Sequence, residues 1–355
     1  MMSTSSNVTT VEDQFLPQDT VQCIVFHPDA NMPIFALGSW DCRVSVFHVK
    51  ENPSSLPISN SKLIVTHALT VMTDAPVMDL KWMIGEPDTL IITGGDGTVS
   101  LLKCSSQQVV KVAYTESLLF ANVVIVENQP VVLTVSQNKK IRYWTIQGQK
   151  LLKEQDLRYS PLCADNNKTG LVVVLVENYI AFVKFSDIGE VTHLCLNLDI
   201  VANSISLSTQ TLDFVIGTID GRLLVGEVVV NGNHRTLNRK IAFKAHKSED
   251  TYTQRKKILY LVGSVGFTDE ARSERNMVFS SGNEGTFKLW DLNKRETVFD
   301  LSFTESKKVI SCCSMSPDKK IVAIAFGYDW AQGVWGLSKQ LTPISVIVQP
   351  VINTK

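Results

Sequence analysis

The sequence is poor in almost everything that would announce a chemistry. It has no excess of either charge: 34 Lys and Arg stand against 35 Asp and Glu, a formal net charge of -1. Binding nucleic acid over a whole surface needs clustered cations against phosphate, so that class is excluded and only a local basic groove remains open. No CxxC pair and no His-x-Cys cluster occurs among the seven cysteines, so a zinc site is not expected. An odd cysteine count without disulfide-framework spacing fits a reducing compartment. The opening MMSTSSNVTTVEDQF has neither the charged nor the apolar stretch of a signal peptide. The most apolar window, Gly170 to Phe185, is interrupted by Glu177, Asn178 and Lys184, too short and too polar for a membrane span. A soluble chain of the cytosol or nucleus, with no membrane insertion, is the expectation.

Catalytic signatures are missing too. There is no G-x-S-x-G elbow, no Walker loop and no H-E-x-x-H. GGDG at Gly94 to Gly97 leads into a β-rich run, whereas a phosphate cradle needs a helix N-terminus there. The six histidines are scattered and suggest no triad; His246 sits in a polar insert, placed to hold a loop by hydrogen bonding. No enzyme is expected, and no cofactor or metal.

What is there is a repeat. With 44% hydrophobic residues the chain has ample material for a core. Seven stretches share one design, a β-rich run, a polar turn and a second run: FALGSWDCRVSVFHV, IITGGDGTVSLLKC, VLTVSQNKKIRYWTI, VVVLVENYIAFVKF, DFVIGTIDGRLLVGEVVV, VFSSGNEGTFKLWDL and AIAFGYDWAQGVWGL. In six of them the acidic or amide turn residue stands three before an apolar one: Asp41, Asp96, Asn138, Glu177, Asp220 and Glu284; the seventh, around Asp329, is irregular. Anchors recur about every 40–45 residues, the period of a four-stranded propeller blade and not of a helical solenoid. Two longer gaps coincide with polar inserts, KENPSSLPISNSK and KAHKSEDTYTQRKK. Seven further segments, from VQCIVFHP to ISCCSMSP, supply one inner strand per unit. The expected fold is all-β, one seven-bladed propeller domain over residues 1–355, with residues 1–15 partly flexible and lending a strand to the last blade. Closing a ring removes most of the edge-strand hazard.

One turn raises a question of function. In DFVIGTIDGRLLVGEVVV, Asp220-Gly221 reads as a two-residue hairpin turn with both residues at φ > 0, and Arg222 follows at its mouth. Guanidinium offers a rigid bidentate fork to a carboxylate, so Arg222 is either surface decoration or the seat of an acidic partner. Trp40, in the matching turn of the first unit, is either inter-blade packing or an aromatic anchor.

GSWD at Gly38 to Asp41 and KLWDL at Lys288 to Leu292 are WD-type signatures. GTIDGRLLV, AFKAHKS, PLCAD, ISCCSMSPD and FGYDWAQG are more specific. In order and in blade position they resemble the Rae/Gle-type WD-repeat messenger-RNA export factors of the nuclear pore. The resemblance spans all seven units and is strongest in the last three. The sister family of Bub-type spindle-checkpoint propellers, which bind kinetochore or kinase peptides, shares the SWD tryptophan and the acidic-Gly-Arg turn; YDWAQG looks like the export family. The resemblance implies a non-enzymatic scaffold that binds a short acidic segment of an FG-repeat nucleoporin and supports mRNA export. It implies a place in the nucleus, at the envelope and pore, and in the cytoplasm, as monomer or as heterodimer with the nucleoporin. The peptide site maps to Arg222, with Asp220 and Trp40. A groove for single-stranded RNA or an acidic tail maps to Phe243, Trp290, Asp291 and Arg295. Leu292 and Thr297 stand where that family has lysines, and Lys294 adds a charge nearby. Read from the residues alone, Trp290 and Phe243 are equally blade packing, and Arg295 a solvated loop charge.

Overall fold

The computed structural model describes residues 8–52, 63–147, 149–199, 201–232, 234–249, 257–268, 277–303, 309–328 and 344–351. Seven four-stranded antiparallel sheets and one two-stranded hairpin account for its strands. The sheets are the blades of a propeller. Blade one runs Val21–Phe26, Ile34–Ser39, Arg43–Glu51 and Leu63–Met72. Blade five runs Ala202–Leu207, Asp213–Thr218, Arg222–Asn231 and His234–Lys244. Blade six runs Val262–Phe267, Met277–Gly282, Thr286–Asp291 and Glu296–Ser302. The innermost strands of the other four begin at Val77, Leu118, Pro161 and Val309. All seven are the segments expected from sequence.

Burial follows position in the blade. Second strands such as Thr89–Gly94 and Gly170–Leu175 are buried at every residue. Both of their faces pack against neighbouring blades, which demands a continuous apolar run. The outer strand His234–Lys244 instead alternates exposed with half-buried residues, because only one of its faces is covered. The core is accordingly divided into seven clusters, each between two adjacent blades. The two most degenerate repeats pair in register all the same: Ser136 faces Lys140 and Leu175 faces Tyr179.

The seventh blade is finished by the start of the chain. Its strands Val309–Met315, Ile321–Gly327 and Ser345–Pro350 are joined by Thr9–Thr10, with Thr9 opposite Val348 and Thr10 opposite Ile347. Val11 donates its N–H to Val346 O at 2.9 Å and is itself buried. Phe15 stacks on His67 of blade one, ring centroids 4.3 Å apart. The hairpin Lys247–Glu249 with Lys257–Leu259 lies in the insert before blade six. The irregular turn of blade seven (residues 329–333) and the first polar insert (53–62) fall outside the described residues.

Deleting residues 1–15 removes the fourth strand of blade seven and uncovers Val11 and Phe15. Thermal unfolding is expected to show a loss of at least about 3 kcal/mol. An unchanged melting temperature refutes the closure as a stabilising device.

Candidate peptide-binding face

Antiparallel order puts the turn between the second and third strands of every blade at the same end as the connector entering its first strand. One hydrogen bond repeats there. The first turn residue donates its backbone N–H to the carbonyl just before the inner strand: Trp40 to Thr20 (3.1 Å), Gly95 to Pro76 (2.8 Å), Gln137 to Ser117 (2.9 Å), Val176 to Ser160 (3.0 Å), Ile219 to Val201 (3.0 Å) and Asn283 to Leu261 (3.0 Å). These bonds build a single turn face. Its backbone is committed by these bonds.

Arg222 stands on that face in blade five. Its Nε lies 2.8 Å from Asp220 Oδ2, and both side chains are about one-third exposed, 38% and 33%. Thr218 orders the turn, donating its hydroxyl to Asp220 Oδ1 at 2.6 Å and accepting the Arg222 N–H at 2.9 Å. The turn is not the two-residue type expected from sequence. Only Gly221 has positive φ, +76°; Asp220 does not, and Gly221 N–H closes on Thr218 O at 3.4 Å. The same left-handed third position recurs at Cys42, Gly97, Lys139 and Gly285. This is the longer hairpin loop, a turn followed by one left-handed residue. At Gly221 a Cβ would lie 2.3 Å from His246 O, so glycine is required by both conformation and space. Asp220 engages the Arg222 guanidinium through Nε, and a guanidinium on a side chain 38% exposed has further N–H groups to offer a second carboxylate.

Trp40 is 39% exposed, and its indole N–H donates to Gln22 Oε1 at 2.9 Å. Beside it Arg43 repeats the Asp-Arg pairing, 3.2 Å to Asp41. Arg43 is also drawn to Leu16 O. Residues that sequence reasoning passed over share the face. Val176 (36%) and Ile219 (48%) are exposed at the position equivalent to Trp40. Val201, in the connector to blade five, is exposed, as are Met72 and Tyr114 at the ends of outer strands. A large apolar residue opening an otherwise polar turn was the available signal. Clustered exposed apolar side chains mark interaction surfaces.

Blade six is organised differently. His246 is fully buried and central to a relay. The Trp290 N–H donates to Ser280 Oγ (2.9 Å), and Ser280 lies 2.8 Å from His246 Nε2. His246 Nδ1 lies 2.5 Å from Glu284 Oε1, which also accepts the Thr286 hydroxyl. Ser280 Oγ, which accepts the Trp290 N–H, thus meets one ring nitrogen of His246, and the other faces the carboxylate. Burial raises the Glu284 carboxyl, but the His246 hydrogen bond and charge together with Thr286 hold it below its ordinary value of 4.5. Gly282 leaves room for this, since a Cβ there would lie 1.9 Å from Glu284 Oε2.

The four residues assigned to the nucleic-acid groove are spread over this architecture. Phe243 is half-buried and meets Trp290 edge-on, centroids 5.1 Å apart. Trp290 is 8% exposed and lies under Phe243 in the core between blades five and six. Lys288 Nζ is 5.6 Å from the centre of the same ring. Asp291 is buried, its Oδ1 accepting the N–H groups of Asn293 (2.9 Å) and Lys294 (3.1 Å). It therefore shapes the turn that carries Arg295, which is exposed at φ +58°. Phe243 and Trp290 are brought together; Asp291 serves Arg295 through the backbone.

Two outcomes follow from the relay. Trp290→Phe keeps the ring and removes the donor, and is expected to cost about 1–3 kcal/mol in thermal unfolding. Because the Glu284 carboxyl is lowered in the folded state, its contribution is complete above 4.5 and lost as pH falls through the folded value. The gap in melting temperature between the protein and Glu284→Gln is expected to narrow below that pH; a gap independent of pH refutes the assignment.

The WD domain, G-beta repeat family matches residues 6–48, the lead-in and the first blade as far as its third strand. The chain is 22% identical to the Poly(A)+ RNA export protein of Schizosaccharomyces pombe, covering 98% of this chain and 94% of that protein. It is 24% identical to Protein Rae1 of Drosophila melanogaster, over 89% of this chain and 87% of that one. The mRNA export factor of Danio rerio is 22% identical over 89% and 83% of the two chains. Among solved structures, U3-55K superposes with a TM-score of 0.70 at 11% identity, covering 98% of this chain and 99% of that chain. At that identity the likeness speaks for the fold alone. From its first blade to the strand that closes its last, the chain is a seven-bladed WD40 propeller similar over nearly its whole length to the messenger-RNA export factors.

Proposed function

We propose that this protein is a non-enzymatic scaffold that holds a short acidic segment of an FG-repeat nucleoporin on its turn face and so supports mRNA export through the nuclear pore. The observation that carries the reading is the Arg222 guanidinium, half-engaged by Asp220 and open to solvent on the face that also exposes Trp40, Val176 and Ile219. A carboxylate supplies what the guanidinium lacks, and the apolar side chains supply the area that an isolated exposed ion pair, worth about 0–1 kcal/mol, does not. Curated relatives named as export proteins match about nine-tenths or more of the chain, which supports the choice of process. On this reading the protein works in the nucleus and at its envelope, alone or as a heterodimer with the nucleoporin.

A weaker contact with single-stranded RNA is proposed at the edge between blades five and six. Phe243 and Arg295 are the reachable groups, with Trp290 as the wall behind Phe243 and Asp291 as the clamp on the Arg295 turn. Stacking with one or two cations gives a shallow salt dependence, in keeping with the near-neutral chain.

Calorimetric titration with an acidic nucleoporin-type peptide tests the first proposal. Arg222→Glu is expected to weaken binding at least about tenfold with an unchanged melting temperature, while equal affinity refutes it. For the second, Arg295→Gln is expected to reduce the slope of log affinity for oligo-uridine against log salt by about 0.7. An unchanged slope removes Arg295 from the contact.

A further inference from the structure

Another cation sits on the turn face, held by a device unlike that at Arg222. Arg158 lies in the connector entering blade four, whose first strand is Pro161–Asn166. Its guanidinium is 5.3 Å from the ring centre of Tyr159 and 5.9 Å from that of Tyr179. The two tyrosines are stacked on each other, centroids 5.0 Å apart and planes 26° apart. The Arg158 backbone N–H donates to His193 Nε2 at 3.1 Å, which fixes the connector to the outer strand of blade four. Burial and the nearby Arg158 charge hold the His193 imidazole below its ordinary value, keeping that nitrogen an acceptor. Arg158 is exposed, and among the described residues no carboxylate pairs with it. A guanidinium set against aromatic rings has already lost the rotamer freedom that a lysine or a free arginine would give up on binding.

The residues between the two arginines form a sequence along the face. Arg158 enters blade four; Val176 opens the turn of blade four; Val201 lies in the connector to blade five; Ile219 and Arg222 belong to the turn of blade five. The three apolar side chains are 36%, 49% and 48% exposed. In chain order these residues run cation, apolar, apolar, apolar, cation, on two adjacent blades, with the backbone bonds Val176 to Ser160 and Ile219 to Val201 setting each apolar turn residue beside its connector.

We propose that this track selects a peptide in which an apolar run is bracketed by two acidic residues, one received by Arg222 and the other by Arg158 on its tyrosine shelf. The inference rests on the turn face being the peptide-binding face and adds the grammar of the segment it accepts. Charge complementarity at both ends fixes direction and length, since an extended peptide advances about 3.3 Å per residue and only one spacing satisfies both cations. Two bound carboxylates also make binding more sensitive to salt than one.

The test is a titration series with synthetic peptides carrying two glutamates around a valine-leucine run of about four to ten residues, and the same peptides with either glutamate replaced by glutamine. On the two-glutamate peptide of best spacing, Arg158→Gln and Arg222→Gln are each expected to weaken binding about tenfold, or about 1.4 kcal/mol. Each variant is expected to be indifferent to removal of its own glutamate and sensitive to removal of the other. Tyr179→Leu, which keeps the charge and removes one of the two rings of the shelf, is expected to lose about threefold; far-ultraviolet circular dichroism and melting temperature check that each variant is folded. If Arg222→Gln weakens binding and Arg158→Gln does not, the second anchor is refuted and the peptide face stands. If affinity is independent of spacing, the two-ended reading is refuted even when both arginines contribute. If the parent protein binds none of the peptides, the inference falls together with the peptide face.

Discussion

Everything in this molecule depends on the ring being closed. A blade is a sheet whose second strand is apolar on both faces, and Gly170–Leu175 has no exposed residue to offer water. Such a sheet is tolerable only between two others, and the last must find the first. The meeting of blades seven and one is secured by strand addition, Thr9–Thr10 onto Ser345–Pro350, and by a shared cluster holding Val11, Phe35, Ala323 and Val348. Seven clusters between seven blades leave none to bear solvent alone.

Around the axis polar groups tie the inner strands to one another. Asn122 reaches Asn166 at 2.7 Å, Asp165 accepts the Leu207 N–H at 2.9 Å, and Trp82 donates to Val25 O at 3.3 Å. Lys81 of blade two passes the Phe120 ring of blade three, 5.6 Å from its centre, to reach Asp165 of blade four at 3.4 Å. Burial by itself would push the Lys81 ammonium down; Asp165 and Asp79 more than compensate and lift it above its ordinary value. Asp79 goes the other way, raised by burial that Lys81 only partly offsets. Such a cluster adds little net stability, but no member can be removed without stranding the others, so it fixes one relative placement of three blades.

Strand periodicity, turn anchors and the repeat spacing were legible in the sequence because each reports a local constraint: alternation, a left-handed turn residue, a fixed blade length. Even the degenerate repeats at Ser136 and Glu177 obey them. What sequence could not supply was which of two uses a residue serves. Trp290 and Trp40 are both tryptophans of WD-type signatures, yet one gives its N–H to Ser280 in the core and the other lies over Gln22 in solvent. The difference is the strand register that places Trp290 against blade five, a long-range fact. The Asp220 turn departs from the two-residue hairpin for a local reason. Asp-Gly is compatible with two hairpin loops, and the hydrogen bond from Gly221 to Thr218 selects the longer. Arg158 gave no signal, since its tyrosine partners are one and twenty-one residues away and meet it only across a turn.

The distribution of candidate recognition residues then has a physical rationale. On the turn face the fold uses backbone: the N–H of Trp40, Val176 or Ile219 bonds a connector carbonyl whatever the side chain is. Glycine, glutamine and asparagine occupy the same position in other blades. That backbone bond sets no requirement on the side chain, which can therefore be chosen for a partner. In blade six the opposite holds, because His246, Ser280, Glu284 and Trp290 are hydrogen-bonded to one another in the core. A recognition site can be written onto blades one, four and five without disturbing the ring, whereas near the relay only Phe243 and the Arg295 turn are left for a partner.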